Sequence, residues 1–195
     1  GLATPVSTLV ALGAGFRRGI LFKEARTIES LAKCDTAVFD KTGTLTSGRL
    51  IVSKFTHADK FDPSLLFSLV SGSTHPVSRA VGEYLRANFR DLKLLELSGF
   101  ENIAARGTQA KFDGKNLAGG SEKFMRELGL YDGEAARGTC YFFAADGEIL
   151  AVFELEESLK EGAKECVAAL KNAGMRVAML TGDNEYAAKR VAERL

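Results

Sequence analysis

Two short apolar runs, each stopping abruptly at polar residues, set the pattern of the chain. Thr36-Ala37-Val38-Phe39 halts at Asp40, and Met175 to Leu180 halts at Thr181-Gly182-Asp183-Asn184. A brief apolar run of this kind predicts a buried parallel strand that delivers the polar groups to its carboxyl end. Open α/β sheets bind ligands at that edge. Ahead of the second run, Ser158-Leu159-Lys160-Glu161 fits a capping box, and the amphipathic spacing predicts a helix to about Asn172, closed by Gly174. Strand, helix, strand and polar turn is the βαβ grammar of a parallel sheet.

Between these runs the pattern changes. Lys23 to Lys33 predicts a helix with Ile28 and Leu31 on its apolar face, and Leu50 to Phe55 alternates as a strand. Asp62-Pro63 is a helix start, an N-cap followed by proline, with the helix running to about Val70. His75-Pro76 opens a second helix carrying Val77, Ala80, Val81, Tyr84 and Leu85 at helical spacing. Leu92 to Leu97 predicts a strand. Gln109 to Leu117 contains Asp113-Gly114, a two-residue hairpin signal, and Gly138 to Phe153 reads as two strands joined at Asp146-Gly147. Ser121 to Leu128 predicts a short helix. The economical architecture is an α/β domain with a parallel sheet, interrupted by an inserted α+β domain with an antiparallel sheet. The expected division is 1–22 as the residual end of a membrane helix or a linker, 23–53 and 147–195 as the two parts of the α/β domain, and 54–146 as the insertion.

Composition narrows the class. A chain of 195 residues with net charge +1 carries no nucleic-acid footprint, so no nucleic-acid partner is expected. Three widely spaced cysteines (Cys34, Cys140, Cys166) and two histidines (His57, His75) form no structural zinc pattern, and reduced thiols are expected. Gly1 to Phe16 is almost wholly apolar or small and precedes Arg17-Arg18. The run is shorter than the roughly 18–20 residues of a membrane span. It reads either as an amphipathic or buried helix, or as the cytosolic end of a span, with basic residues on the cytoplasmic side. Gly1 in place of Met, and an end at Leu195 inside a helical pattern, read as a piece of a longer protein.

The chemistry concentrates at Asp40-Lys41-Thr42-Gly43-Thr44-Leu45-Thr46. A lone Asp at a strand end is most often the start of a polar turn. Here Gly43 permits a sharp turn and the hydroxyls of Thr42, Thr44 and Thr46 crowd one carboxylate, which can act as a nucleophile toward phosphorus. The seven-residue run resembles the phosphorylation signature of the P-type ATPases. Phosphatases of the related haloacid-dehalogenase-like superfamily usually carry a second Asp two residues after the nucleophile. Thr42 holds that place and cannot transfer protons near neutral pH, so a phosphoryl group on Asp40 is expected to persist. Met179 to Asn184 resembles the second signature of the same family. The resemblance implies that Asp40 is phosphorylated, that Thr181, Gly182 and Asp183 form the phosphate turn, and that Asp40 with the backbone oxygen of Thr42 ligates Mg²⁺. Lys41 either neutralises charge nearby or is solvated.

Within that family the chain resembles the heavy-metal transporters. Ser73-Thr74-His75-Pro76 matches their Ser-x-His-Pro motif, which implies that His75 and Pro76 meet the adenine end of ATP. Glu101 to Gly107 resembles their glycine-containing nucleotide loop, and Gly120-Ser121 stands where the family has Gly-Asn. Val70 in place of the family's glutamate, Ala105 in place of its first loop glycine, and Ser121 are departures. They bear on the strength of ATP binding rather than on its place. Arg106 and Lys111 read as phosphate contacts or as a solvated basic face. Gly1-Leu2-Ala3-Thr4-Pro5 looks like the stretch after the family's Cys-Pro-Cys site, and favours the copper(I) branch over zinc and cadmium. The implied setting is a multi-pass pump in the cell membrane, with these domains on the cytoplasmic side. The implied partners are its transmembrane and actuator domains and the heavy-metal ion bound elsewhere. A haloacid-dehalogenase-like phosphatase and a non-reacting nucleotide-binding module are the alternatives.

Overall fold

The computed structural model describes residues 3–195, with side chains from Val6 onward. Helix α1 (Ala3–Arg17) and the short α2 (Arg26–Leu31) lead into strand β1 (Thr36–Asp40). A tight turn over Lys41–Leu45 feeds β2 (Thr46–His57), then α3 (Pro63–Ser71), α4 (Pro76–Asn88), β3 (Ser98–Ile103), β4 (Gly107–Phe112) and β5 (Lys115–Gly120). There follow α5 (Glu122–Glu127), β6 (Thr139–Ala145), β7 (Glu148–Leu159), α6 (Ala163–Asn172), β8 (Arg176–Leu180) and α7 (Glu185–Arg194).

Two sheets result. β1 and β8 pair in parallel, with Asp40 opposite Leu180, so both carboxyl ends finish at one edge. The other six strands form an antiparallel sheet in the order β2-β7-β6-β5-β4-β3. The α/β class with one parallel and one antiparallel sheet is therefore as the sequence pattern predicts. Hairpin turns at Asp113-Gly114 and Asp146-Gly147 place both residues at positive φ, the backbone that two-residue hairpins favour.

The antiparallel sheet is covered on both faces. On one, α3 and α4 lay Leu66, Leu69, Val81 and Leu85 against Phe143 and Phe153. On the other, Phe124 and Met125 of α5 pack on Phe142 and Ala144. Each such side chain contributes about 1.5–3 kcal/mol by leaving water. A smaller core of Leu45, Ala163 and Val167, backed by Phe39, Val177 and Met179, holds the parallel pair. Among the described residues no helix is long and apolar enough to cross a membrane.

Four elements depart from expectation, three because a tertiary partner outweighs local pattern and the fourth because no partner supports the full helix. Leu92 to Leu97 is not a strand; it is an irregular strap whose Lys93 and Leu95 amides donate to the hydroxyls of Ser64 (3.2 Å) and Ser68 (2.8 Å) on α3. Ser158-Leu159-Lys160-Glu161 caps no helix: Leu159 stays in β7 opposite Thr46, and α6 begins only after Gly162 at φ 78°. The Leu50–Phe55 strand extends over Thr46–His57 because β7 pairs along it. The Lys23–Lys33 helix shrinks to Arg26–Leu31, which buries no residue, and Leu31 is exposed. Gly1 and Leu2, the start of the stretch that favours copper, lie outside the described residues.

Candidate active site

The parallel pair sets the site. Because Asp40 faces Leu180 in register, the carboxylate and the Thr181-Gly182-Asp183 turn follow from adjacent strand ends. Asp40 is exposed, extended in backbone (φ −67°, ψ 144°) and available to solvent at that edge. Gly43 takes φ 76°, which turns the chain back so that Thr42 and Thr44 are exposed beside it. Lys160 secures the turn, donating from its backbone amide to the Leu45 carbonyl (2.9 Å) and from Nζ to that of Gly43 (3.3 Å). The Asp183 amide donates to the Thr181 hydroxyl at 3.1 Å, and the Asn184 side chain caps α7 by accepting from Ala187.

Lys41 is not solvated. Its side chain is 3% exposed, and its ammonium is paired with Asp183 and with Glu157 at 3.1 Å. Burial alone pulls an ammonium's pKa down, but hydrogen bonds and charge from Asp183 and Glu157 outweigh that and hold it above the ordinary lysine value. The buried Thr46 hydroxyl approaches both the Lys41 carbonyl, at 3.2 Å, and the Glu157 carboxylate. Glu157, at the end of β7, is the residue that sequence reasoning missed: it is 116 positions from Lys41 and no local pattern marks it. Lys41, Glu157 and Asp183 line an open cleft of about 810 Å³, walled by β7, α7 and the segment before β6. Across the cleft's α7 side, Arg190 and Arg194 both reach Glu156, at 2.9 and 3.0 Å.

The second group of expected residues gathers elsewhere. His75, Gly107, Gly120 and Ser121 line a cavity of about 140 Å³ together with Ser73, Ser78, Thr108 and Tyr141. Proline at the first position of α4 leaves the His75 ring to cap the helix: Nδ1 accepts from the Val77 amide at 3.3 Å, so Nε2 carries the proton in the neutral ring. Pro76 thus acts through the helix start and does not line the cavity. Glu101 is exposed on β3 opposite Gln109 and is not brought to the cavity. Ser121 spends its hydroxyl capping α5, accepting from Phe124. Gly107 and Gly120 face each other so closely that a Cβ on either would meet backbone atoms at 2.3 and 2.5 Å. Thr139 and Cys140, at the start of β6, line both the cavity and the larger cleft.

Tyr141 is a further residue that the sequence did not single out. Gly119 has no side chain where a Cβ would lie 2.1 Å from the Tyr141 hydroxyl. Burial pushes that hydroxyl's pKa up, partly offset by Thr108, and among the described residues no hydrogen bond of ordinary geometry reaches it.

Comparison with known proteins places this geometry. The chain matches the haloacid dehalogenase-like hydrolase family over residues 34–195. It is 34% identical to the copper-exporting P-type ATPase of Staphylococcus saprophyticus, across 100% of this chain and 25% of that protein. It thus spans about a quarter of the length of the curated relatives it matches. The crystal structure of a zinc-transporting PIB-type ATPase in its E2.Pi state superposes with a TM-score of 0.80 at 25% identity, covering 100% of this chain and 33% of that one. The catalytic domain of the CPx-ATPase CopB-B, solved in a study of its conformational changes upon nucleotide binding, gives 0.67 at 26% identity, over 94% and 68%. With an aspartate ending one strand, a Thr-Gly-Asp turn on its parallel neighbour and a family match spanning most of its length, the chain belongs to the haloacid dehalogenase-like hydrolases, and its relatives are P-type ATPases that transport heavy metals.

Proposed function

We propose that this chain is the nucleotide-binding and phosphorylation part of a heavy-metal-transporting P-type ATPase, with copper(I) as its ion. The observation that carries this reading is the register of β1 and β8, which sets Asp40 beside Thr181-Gly182-Asp183 at one sheet edge. Phosphoryl transfer is mostly positioning and charge neutralisation. An Asp40 carboxylate oxygen attacks the terminal phosphorus of ATP in line, the bond to the bridging oxygen breaks, and ADP leaves. The amides and hydroxyl of Thr181 and Gly182 receive phosphoryl oxygens. Thr42, in place of a general acid, leaves the acyl phosphate without proton-transfer assistance to hydrolysis. Mg²⁺ is held by one or two carboxylates with phosphate oxygens and water; exposed Asp40 and the Thr42 carbonyl suit that role, and the ion would supply charge neutralisation when bound.

The adenine end is assigned to the His75, Gly107 and Gly120 cavity. A cavity of about 150 Å³ admits one benzene ring, so one of about 140 Å³ receives one ring of the base and leaves the sugar and phosphates outside. The shared wall at Thr139 and Cys140 leads from this cavity to the cleft that reaches Lys41 and Asp183. On this reading, residues 54–146 are the bulk of the nucleotide domain, whose sheet runs past those bounds into β2 and β7, the rest of 23–53 and 147–195 is the phosphorylation domain, and 1–22 the link to the membrane. The transmembrane and actuator domains are its partners. Relatives named as copper-exporting or probable copper-transporting ATPases, at 31–35% identity, favour copper over zinc, the ion of the structural match at 25%.

The test is acid-quenched labelling of the full-length pump with γ-labelled ATP. The wild type traps an alkali- and hydroxylamine-labile phosphate, and Asp40→Asn does not, while both bind ATP. Labelling that survives in Asp40→Asn rejects the assignment.

A further inference from the structure

The small cavity has a charge composition that its expected role did not call for. Of the fifteen residues that line it, none is Asp, Glu or Lys, and Arg106 is its one fixed charge. An apolar pocket with a lone guanidinium favours a ligand that is part ring, part anion. Arg106 is also held in place. Its amide donates to the Ile103 carbonyl and its carbonyl accepts from the Ser121 amide, both at 3.0 Å. The preceding Ala105 takes φ 58°, a backbone that costs a residue with a Cβ about 1 kcal/mol or more. The loop therefore roots Arg106 at the cavity even at that cost. Its guanidinium is already engaged: Nη1 lies 3.0 Å from Glu127 Oε2, at the end of α5. Glu127 does not line the cavity.

We infer that Arg106 receives the phosphates of the nucleotide that leave this cavity, and that Glu127 competes with them for its guanidinium and so sets the affinity. This rests on the reading of the cavity as a nucleotide site. The two groups are about half and one-third exposed, so their pairing is of the modest surface kind. A ligand phosphate, with more charge and a bidentate acceptor geometry, displaces the carboxylate. Glu127 then costs the bound state what it contributed to the free one.

Titration of this chain with ATP and with adenosine, followed by backbone amide shifts, tests the idea in wild type, Arg106→Ala, Glu127→Gln and the double variant. Arg106→Ala weakens ATP roughly tenfold, the loss of one charge-assisted contact, and leaves adenosine unchanged. Glu127→Gln tightens ATP by about two- to five-fold, the range of a released surface pair, again with adenosine unchanged. In the Arg106→Ala background Glu127→Gln has no effect. Three results overturn the inference while sparing the nucleotide site: ATP binding indifferent to Arg106→Ala, adenosine weakened in parallel with ATP, or Glu127→Gln acting equally in both backgrounds. Wild type that binds neither ATP nor adenosine rejects the nucleotide site itself, and the inference with it.

Discussion

Lys41→Met isolates the one buried cation of the site. Methionine keeps the unbranched apolar stem of lysine and is one atom shorter, so the change deletes charge more than volume. It leaves Glu157 and Asp183 facing each other without the ammonium that joins them. Removing one partner of a fully buried pair costs ~3–5 kcal/mol. Here the orphaned carboxylates are 24% and 44% exposed and border the open cleft, so water recovers much of that loss. The worked expectation is ~2 kcal/mol. Glu157→Gln, which leaves Lys41 paired with Asp183 and an amide oxygen for Thr46, costs only ~1 kcal/mol. In the double variant Glu157 no longer repels Asp183, so its cost falls below the sum of the singles by ~1 kcal/mol. Urea denaturation of the four proteins at neutral pH measures these values. The sign of the pH dependence follows from the raised ammonium pKa: the contribution is complete below the ordinary lysine value and is lost only as pH rises through the higher folded one. Lys41→Met within ~0.5 kcal/mol of wild type, or singles that add within ~0.3 kcal/mol, refutes the clamp.

Two further outcomes follow from the same coordinates. On the proposed function, Thr42→Asp places a carboxyl two residues after Asp40 on an exposed turn, so the phosphoenzyme of the full-length pump decays faster, by ~10²–10⁴-fold where alignment is good; pulse-chase of the labelled intermediate reads the rate, and unchanged decay in a phosphorylated variant removes position 42 from control of the lifetime. Tyr141→Phe deletes a buried hydroxyl without a partner, so the chain gains ~1 kcal/mol in urea denaturation; a loss of similar size would mean that Thr108 satisfies the hydroxyl in solution.

How much of this was written locally can be argued from particular residues. The strands ending at Asp40 and Leu180 were legible because each is a brief apolar run with a polar stop, and their parallel pairing follows from the βαβ grammar, while the register of Asp40 with Leu180 is seen only in the structure. Asp62 and Pro63, His75 and Pro76, and the turns at Asp113 and Asp146 were legible because caps and two-residue turns are decided within four residues. The strap at Leu92–Leu97 was not, since its amides are satisfied by hydroxyls on α3, more than twenty residues away. The supposed cap at Ser158 fails for the same reason: pairing of Leu159 with Thr46 holds those residues in β7.

The site divides along that line. The groups set at the sheet edge, Asp40 and the Thr181 turn, stand in contiguous motifs, because a strand end and the turn after it are one local unit. What fixes the charge around them does not. Glu157 reaches Lys41 only because β7 runs antiparallel to β2 for its whole length and so returns to the turn after β1. Arg194 then ties its Nη1 to the Glu157 carbonyl at 2.9 Å, which couples α7, and with it the Asp183 turn, to the same strand. Lys41 therefore joins three stretches of chain, and a shift of β7 relative to β8 moves Glu157 relative to Asp183. A lysine adjacent to Asp40 would be free to follow an incoming phosphate if it were solvated. Held by Glu157 and Asp183, it instead ties the relative position of the two sheets to its chain neighbour Asp40.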